Sequence, residues 1–246
     1  MTPTTGSPMS HPLENPAWHT LSVAHRASTV GSESARRYLH GFAPPIAFAE
    51  PAQVDLSALT QHTAAGELLY GDGWTGPMPA DWELVHEVPL LRLVWRGAPM
   101  PLPLPLPKRQ PWRILDARDA DQAVALALAT RPGPFGPRSL ELGEYLGLFD
   151  GKRLVAMAGE RMKAAAWREI SGVCTAAEYE GRGHARILTS ALVQRQLQRG
   201  EIPFLHVMAD NRRALLLYQR LGFVYFAEAV VRAIRLRLTN DAEKSP

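Results

Sequence analysis

Apolar residues recur at helical spacing twice in the C-terminal third of the chain. The first run predicts a helix over residues 184–199 that Gly200 ends. The second run predicts a helix that Asn211 caps and Gly222 ends. Between the two helices, residues 204–208 indicate a buried strand, and another strand follows the second helix. This alternation is typical of an α/β fold.

A strand and a glycine-rich turn precede the first of these helices. Residues 169–175 carry β-branched side chains among small ones, which suits a buried strand with something close against its backbone. After residues 176–180, the first helical turn is almost bare of side chains, so an anion can approach main-chain N–H groups at the positive end of the helix dipole. The residues predicted to bind a phosphate group there are Gly181, Arg182, Gly183, His184 and Ala185.

Glycine spacing alone is a weak signal. The segment has neither the Gly-Lys-Ser/Thr of a Walker loop nor the G-x-G-x-x-G of a dinucleotide-binding unit. The alternative is therefore a helix start whose glycines serve close packing alone.

The preceding segments predict further elements in the same order. Residues 116–130 predict a helix that begins at an aspartate cap after a short strand. Residues 131–137 are too rich in proline and glycine to continue that helix and form a loop. Residues 144–149 and 153–162 indicate a hairpin that turns at an Asp-Gly pair.

The N-terminal half has a weaker pattern of short elements. Residues 15–30 predict a helix, residues 44–45 a loop, and residues 54–63 a short helix. Residues 66–70 and 90–95 are strand candidates.

A shift in composition at residues 98–111 separates the two halves. Alternating prolines predict an extended connector there. We place a domain boundary at this connector, with an accessory domain over residues 1–108 and a second domain over residues 109–246. The alternative is a proline-rich loop inside one continuous domain.

Two motifs of the second domain have the spacing of a known family. Residues 180–185 are Glu-Gly-Arg-Gly-His-Ala, and the second motif consists of Asn211, Ala214, Tyr218, Gly222 and Phe223. Together they resemble the GCN5-related N-acetyltransferases (GNAT), and especially the FR47-like branch. The family's coenzyme motif is Gln/Arg-x-x-Gly-x-Gly/Ala, and its second hallmark is Asn-x-x-Ala-x-x-x-Tyr followed by Gly-Phe. The resemblance covers residues 112–238, and the first motif departs from the family in its initial glutamate.

The resemblance implies an α/β fold with a mixed α+β sheet. The C-terminal half would have the GNAT acyl-CoA N-acyltransferase fold. The smaller N-terminal half would be a degenerate copy of that fold, because it carries no second coenzyme motif. We expect it to shape the acceptor site, with residues 71–74 as a contributing loop. The loop at residues 131–137 would border the same site.

The resemblance also implies where acetyl-coenzyme A (acetyl-CoA) would bind. Its pyrophosphate would lie on the main chain of the glycine turn, and its pantetheine arm between two diverging parallel strands, residues 169–175 and 203–208. Tyr218 would protonate the departing thiolate, unless it is an ordinary core aromatic. Asn211 would cap its helix and also bind the pantetheine arm. The coenzyme-binding residues predicted beyond the turn are Val173, Cys174, Thr175, Asn211 and Tyr218.

Two further catalytic tasks need groups on the same strands. A main-chain N–H of Val173 or Cys174 would stabilise the oxyanion. Glu169 is the first candidate for the general base, since the histone-acetylating branch of the family carries a glutamate on this strand. The alternatives are an ordered water chain as the base and a merely solvated Glu169. His206 is expected to be a satisfied core residue, and Glu160 is a weaker candidate for the acceptor pocket.

Whole-chain properties limit the classes of binding partner that the sequence favours. The net charge is +3 with the arginines spread along the chain, which does not favour nucleic acid. The single cysteine, Cys174, cannot form an intrachain disulfide and is expected to pack as a small apolar residue. No metal-site spacing and no membrane-spanning run are seen, and residues 1–10 predict a flexible tail rather than a leader. We therefore expect a cytoplasmic protein with no metal, and a homodimer is compatible with the sequence.

These observations predict an acetyl-CoA-dependent N-acetyltransferase. It would move an acetyl group directly to a primary amine of a small molecule or peptide, with acetyl-CoA as co-substrate. The alternative enzyme transfers another acyl group to a different nucleophile. The alternative outside catalysis is an acyl-CoA-binding sensor or scaffold of weak activity, which the unusual Glu180 makes worth testing.

Overall fold

One mixed sheet forms the centre of the molecule in a computed structural model, which describes residues 11–74, 76–97 and 111–237. Within these residues the sheet has 11 strands in the order β1-β2-β3-β4-β11-β5-β10-β9-β8-β7-β6. The strands in chain order are β1 (Thr29–Gly31), β2 (Ala35–Tyr38), β3 (Pro45–Phe48), β4 (Leu68–Asp72), β5 (Trp82–Trp95), β6 (Trp112–Ile114), β7 (Tyr145–Asp150), β8 (Arg153–Ala164), β9 (Trp167–Thr175), β10 (Ile202–Met208) and β11 (Phe223–Leu236). The predicted α/β class with a mixed sheet is confirmed.

Helices connect or cover these strands. The α-helices are α1 (Pro16–His19), α2 (Ser57–Thr60), α3 (Ala120–Thr130), α4 (His184–Gln198) and α5 (Arg212–Arg220). Short 3₁₀ turns lie at Arg26–Ser28, Ala117–Asp119, Ser139–Leu142 and Ala177–Tyr179, and a π-helical turn at Thr20–Ala24 extends α1.

The helices predicted in the C-terminal half are confirmed with their end signals. Asp116 forms a capping box with Asp119 before α3. Asn211 caps α5 by accepting a hydrogen bond from the main-chain N–H of Ala214 at 3.1 Å. Gly200 and Gly222 follow α4 and α5 with φ of +72° and +92°, the left-handed conformation that glycine adopts without strain.

The N-terminal predictions hold only in part. The helix predicted over residues 15–30 breaks into short turns and ends before Thr29, because Thr29 and Val30 pair with β2 instead. The helix predicted over residues 54–63 is confined to α2. The predicted loop at residues 44–45 overlaps β3, which begins at Pro45.

The two halves of the chain share the sheet. β5 comes from the N-terminal half, yet it lies between β10 and β11 and is antiparallel to both. One hydrophobic cluster also joins both halves and includes Leu13, Tyr38, Phe42, Met162 and Phe204. The N-terminal and C-terminal halves thus share one sheet and one hydrophobic cluster. The domain boundary between residues 1–108 and 109–246 stays a prediction, as does the degenerate copy of the fold in the N-terminal half.

Two sequence predictions fall outside the described residues. These are the flexible tail at residues 1–10 and nearly all of the proline-rich connector, residues 98–110. Within the part of the chain that is described, no helix has the length and apolarity needed to cross a membrane.

Candidate active site

Two parallel strands at the centre of the sheet separate after a short paired stretch. β9 and β10 pair over residues 167–170 and 202–205. Both strands then continue, to Thr175 and Met208, without further pairing between them in the described structure. Main-chain groups on the facing edges are therefore left without a partner strand and can bind a ligand. The two predicted diverging strands are confirmed.

A cavity of about 780 Å³ opens at this separation, a size that suits a small-molecule site. Its walls come from β9, β10 and α5, from residues 131–135 of the loop after α3, and from the N-terminal half. The N-terminal half contributes, among others, Ile46, Tyr70, Asp72, His86 and Leu90. The cavity is thus built by both halves of the chain.

The loop predicted at residues 71–74 is only partly at the cavity. Asp72 ends β4 and lines the cavity. Trp74 is fully buried against Phe48 in a separate hydrophobic cluster, so its predicted place in the cleft is wrong.

β9 carries a β-bulge beside the cavity. Gly172 and Val173 together oppose the single residue Ala158 of β8. Gly172 has φ of +62°, and a Cβ added there would lie 3.1 Å from the ring of Tyr145, so a larger residue would be strained. The bulge interrupts the hydrogen-bond ladder next to Val173, which lines the cavity.

Cys174 and Thr175 follow the bulge but are not among the cavity-lining residues. Cys174 is buried in the apolar cluster that also includes Tyr145, and burial raises the pKa of its thiol to about 11. The thiol therefore stays protonated at neutral pH, as expected for a packing residue. The Oγ1 of Thr175 is buried without a hydrogen-bond partner in the described residues. Coenzyme binding by the main chain of these two residues stays a prediction.

The glycine turn before α4 has an open, left-handed backbone. Gly181 and Gly183 have φ of +74° and +81°, and a Cβ at either position would meet no atom within 4 Å. No side chain caps the helix, whose first N–H groups have no intrahelical partner. Arg182 is exposed and places its charge near the turn, and Ala185 is half-buried in the first turn.

His184 begins α4 and is buried without a hydrogen-bond partner for either ring nitrogen in the described residues. Burial, and to a smaller extent the charge of Arg182, lowers the pKa of its imidazole. His184 is therefore neutral at physiological pH and adds no charge to the turn.

Glu180, the unusual first residue of the turn motif, points towards α5. Its Oε2 accepts a hydrogen bond from Nη1 of Arg213 at 2.5 Å. Both side chains are largely exposed, at 46% for Glu180 and 72% for Arg213. The carboxylate is thus partly neutralised by an arginine from the other side of the cleft.

Tyr218 and Asn211 project from α5 into the cavity wall. The ring of Tyr218 is buried and packs edge-on against Phe223. Its hydroxyl makes no hydrogen bond with the described residues, which leaves the group free for a ligand. Burial, with a smaller effect of Cys174, raises the pKa of Tyr218 to about 12, so the phenol keeps its proton at neutral pH.

Glu169 is fully buried on β9 with every carboxylate oxygen engaged. It accepts hydrogen bonds from Nε and Nη2 of Arg161 at 2.9 and 2.8 Å, from the Met162 N–H at 3.2 Å and from Nδ1 of His206 at 2.7 Å. Burial alone would raise its pKa, but the charge of Arg161 and these hydrogen bonds outweigh burial and hold the pKa well below its usual range. The merely solvated alternative is therefore wrong, and so low a pKa disfavours the predicted role as general base.

His206 connects this ion pair to a second one. Its Nε2 accepts a hydrogen bond from Nε of Arg92 at 2.8 Å, and Nη2 of Arg92 binds Oδ2 of Asp72 at 2.8 Å. His206 is satisfied, as expected, and it also lines the cavity. Sequence reasoning missed Arg92 and Arg161, because a single arginine in a strand is more typical of a solvent-facing position.

Glu160 does not line the cavity. It is buried in the middle of β8 and accepts a hydrogen bond from Nε2 of Gln196 at 3.0 Å, with Arg199 and Arg168 as ion-pair partners. Its predicted place in the acceptor pocket is wrong, because these partners hold it on the side of the sheet that α4 covers. Among the described residues, no cluster of His, Cys, Asp or Glu could hold a metal ion.

Comparison with known proteins identifies the family to which this architecture of diverging strands and a glycine turn belongs. A solved structure of a proposed GNAT-family acetyltransferase from Novosphingobium aromaticivorans is 31% identical, with a TM-score of 0.82, and the match covers 93% of this chain and 100% of that one. A family model described as FR47-like protein matches residues 145–232. The chain therefore belongs to the GNAT family and carries an FR47-like domain.

More distant structures share the fold. A GCN5-related N-acetyltransferase from Kribbella flavida is 20% identical with a TM-score of 0.52, over 83% of this chain and 88% of its own. A GCN5-related N-acetyltransferase-like protein from Streptococcus suis is 16% identical with a TM-score of 0.50, over 84% and 85%. No curated protein matches the chain significantly.

Proposed function

We propose that the protein transfers an acetyl group from acetyl-CoA directly to a primary amine. The observation that carries the proposal is the cavity between β9 and β10, with the free hydroxyl of Tyr218 in its wall. β9 leads from this cavity to the glycine turn before α4. One strand thus connects the cavity that would hold the thioester to the turn that would bind the phosphate group.

The residues present fit the coenzyme. The main-chain N–H groups of residues 181–185 would bind its diphosphate, since a helix N-terminus attracts anions. The free edges of β9 and β10 would bind the pantetheine arm, with Asn211 and Val173 beside it. Bound there, acetyl-CoA would supply an activated acyl group as a thioester.

Two residues would assist the transfer. A bond forms between the amine nitrogen and the acyl carbon while the carbon–sulfur bond breaks; the amine loses one proton and the thiolate gains one. Tyr218 keeps its proton at neutral pH and would donate it to the thiolate, although the burial that raises its pKa makes it a weaker acid than a free phenol. The N–H of Val173 would donate a hydrogen bond to the acyl oxygen as negative charge develops there.

Glu169 has a positioning role in this proposal. Its carboxylate fixes Arg161 and the Nδ1 of His206, and its low pKa makes it a poor acceptor of a further proton. The proton of the amine would therefore leave through water in the open cavity.

Thiol release from acetyl-CoA tests the proposal. The full-length chain is incubated with acetyl-CoA and a panel of amines, amino acids and peptides, with mass spectrometry of the products. We expect amine-dependent thiol release together with an N-acetylated product. If acetyl-CoA binds but none of the amines accelerates thiol release, the transferase proposal fails.

The second candidate function is an acyl-CoA-binding sensor or scaffold. It rests on Glu180, whose carboxylate lies in the coenzyme motif. The ion pair with Arg213 weakens this candidate, because it offsets the charge that would repel a diphosphate. Tight acetyl-CoA binding without hydrolysis or transfer would favour the sensor.

A further inference from the structure

Arg161 stands on a β-bulge of β8 beside the cavity. Arg161 and Met162 together oppose the single residue Glu169 of β9. A bulge redirects a side chain relative to the regular alternation of a strand. Arg161 consequently lines the cavity while it also reaches the buried Glu169.

Among the described residues, only one edge of the Arg161 guanidinium is bound. Its Nε and Nη2 bind Glu169, and its Nη1 makes no hydrogen bond with the described residues. The side chain is 14% exposed. Because a guanidinium carries five donors in a planar fork, the edge formed by Nη1 and Nη2 remains available to a ligand.

Two arginines, Arg161 and Arg131, line the cavity beside a single acidic side chain in the part of the chain that is described. Burial alone would lower the pKa of Arg161, but the charge of Glu169 outweighs burial and raises it, so the group stays cationic. Asp72 is the one acidic side chain among the described residues that line the cavity. Its Oδ2 is bound by Arg92, and its Oδ1 is buried with no hydrogen-bond partner among the described residues. Arg131 adds a second cation at the wall.

The position of Arg161 suits the acceptor rather than the coenzyme. Its neighbour Glu160 pairs with Ile170, the residue at which β9 and β10 stop pairing. This end of the gap lies away from Thr175, where β9 leads to the glycine turn. A molecule bound at Arg161 would therefore approach the thioester from the side opposite the phosphate-binding turn.

We propose that Arg161 binds a carboxylate of the acceptor, so that the acceptor is an amino acid or another amine that bears a carboxylate. The inference rests on the proposed function and names its substrate class. A carboxylate accepts two parallel hydrogen bonds from the free edge of a guanidinium, which fixes both the position and the orientation of the acceptor. The amine of the bound acceptor would then face the gap between the strands.

The test measures binding separately from turnover. The full-length chain, saturated with coenzyme A, is titrated by calorimetry with a panel of N-acetylated amino acids, each beside its carboxamide. We expect at least one carboxylate to bind about tenfold more tightly than its amide. Equal binding within every pair, or no binding by any carboxylate, overturns the inference whether or not Arg161 variants fold.

Substitution assigns the preference to Arg161. Arg161→Lys keeps the positive charge but loses the planar donor fork of the guanidinium. We expect the variant to lose most of the preference for carboxylates over amides. Its KM for the acceptor should rise about tenfold, with the KM for acetyl-CoA unchanged. The matched control is Arg195→Lys, which alters an arginine bound to Glu144 outside the cavity. A folded Arg161→Lys variant that keeps the preference contradicts the inference.

Thiol release measured with the free amino acids and their carboxamides, beside the calorimetric panel, separates this inference from the proposed function. Selective carboxylate binding without amine-dependent thiol release would overturn the transferase and leave the carboxylate site standing. Thiol release with amides as fast as with the parent amino acids would do the reverse.

Discussion

The two ends of the cleft between β9 and β10 are built in different ways. The end that leads to α4 uses the main chain of consecutive residues, 181–185, whose glycines have positive φ. The opposite end uses buried side chains that five strands bring together. These side chains are Asp72, Arg92, Arg161, Glu169 and His206.

This difference determines what each end is sensitive to. Main-chain donors do not depend on the identity of a neighbouring side chain, but they depend on backbone conformation. The opposite end depends on buried charges that neutralise one another, so removal of one partner leaves another buried and uncompensated. Substitutions at the two ends should therefore show their main effects in different assays.

The largest expected effect is on stability, at the end built from side chains. Glu169→Gln leaves the buried Arg161 without its counter-charge, and we expect the free energy of unfolding to fall by about 3–5 kcal/mol. The native pKa of Glu169 lies below its ordinary value of 4.5. Its contribution is therefore present above about pH 4.5 and is lost as the pH falls towards the native pKa, so the difference between wild type and variant should shrink in acid.

Urea unfolding at several pH values measures this contribution. Glu141→Gln is the matched control, because Glu141 forms a similar pair with Arg138 but on the surface. We expect the control to change stability little. A Glu169→Gln variant as stable as the wild type at neutral pH would show that this end does not depend on mutually neutralising buried charges.

The second-largest expected effect is on the turnover number, kcat. Tyr218→Phe removes the proton donor but keeps the ring, and we expect kcat to fall about 100-fold while the affinity for acetyl-CoA stays within about twofold. Thiol release and calorimetry measure the two quantities. Tyr225→Phe, at an exposed tyrosine of β11, should leave both unchanged. Equal turnover in Tyr218→Phe would eliminate the acid role.

A smaller effect is expected from the backbone of the glycine turn. Gly183→Ala places a side chain at positive φ, which costs about 1–2 kcal/mol of stability. We expect it also to weaken acetyl-CoA binding about fivefold, because relief of the strain would move the main-chain donors. Thermal unfolding and calorimetry measure both effects.

Gly200→Ala provides a control at the other end of the same helix. Gly200 has a similar φ, +72°, and a Cβ there would also meet no atom within 4 Å. The Gly200→Ala control should therefore lose about as much stability as Gly183→Ala but retain its affinity for acetyl-CoA. Equal loss of affinity in both variants would mean that Gly183 acts through helix stability alone.

The smallest effect is expected at Glu180. Glu180→Gln removes a negative charge from the turn, and we expect acetyl-CoA to bind about twofold to threefold more tightly at low salt. The gain should disappear at high ionic strength, since exposed charges are screened. Glu50→Gln, at an exposed glutamate of the N-terminal half, should have no effect. Weaker binding by Glu180→Gln would instead indicate that the ion pair with Arg213 supports the turn.

The contrast between the two ends also explains what could be predicted from the sequence. Helices α4 and α5, the glycines around them and the Asn211 cap were predictable, because each depends on residues a few positions apart. The partners of Glu169 were not, since Arg161 lies 8 positions before it on a bulge and His206 lies 37 positions after it. A bulge leaves no reliable signature in a single sequence.

The N-terminal strands were missed for a related reason. β1, β2 and β3 contain three or four residues each, too few for an alternating pattern to develop. β5 was predicted only over residues 90–95, because its exposed half contains polar residues and Pro89. Its place between β10 and β11 depends on pairing between distant segments, which local propensity does not encode.

Calorimetric titration with acetyl-CoA, beside acetylpantetheine, tests most directly whether the cleft binds an acyl-CoA through the main chain of residues 181–185. Acetylpantetheine carries the same thioester and arm but lacks the diphosphate. We expect acetyl-CoA to bind at one site per chain and at least about tenfold more tightly than acetylpantetheine. No binding of acetyl-CoA by the folded chain, or equal affinities for the two compounds, would contradict the proposed site.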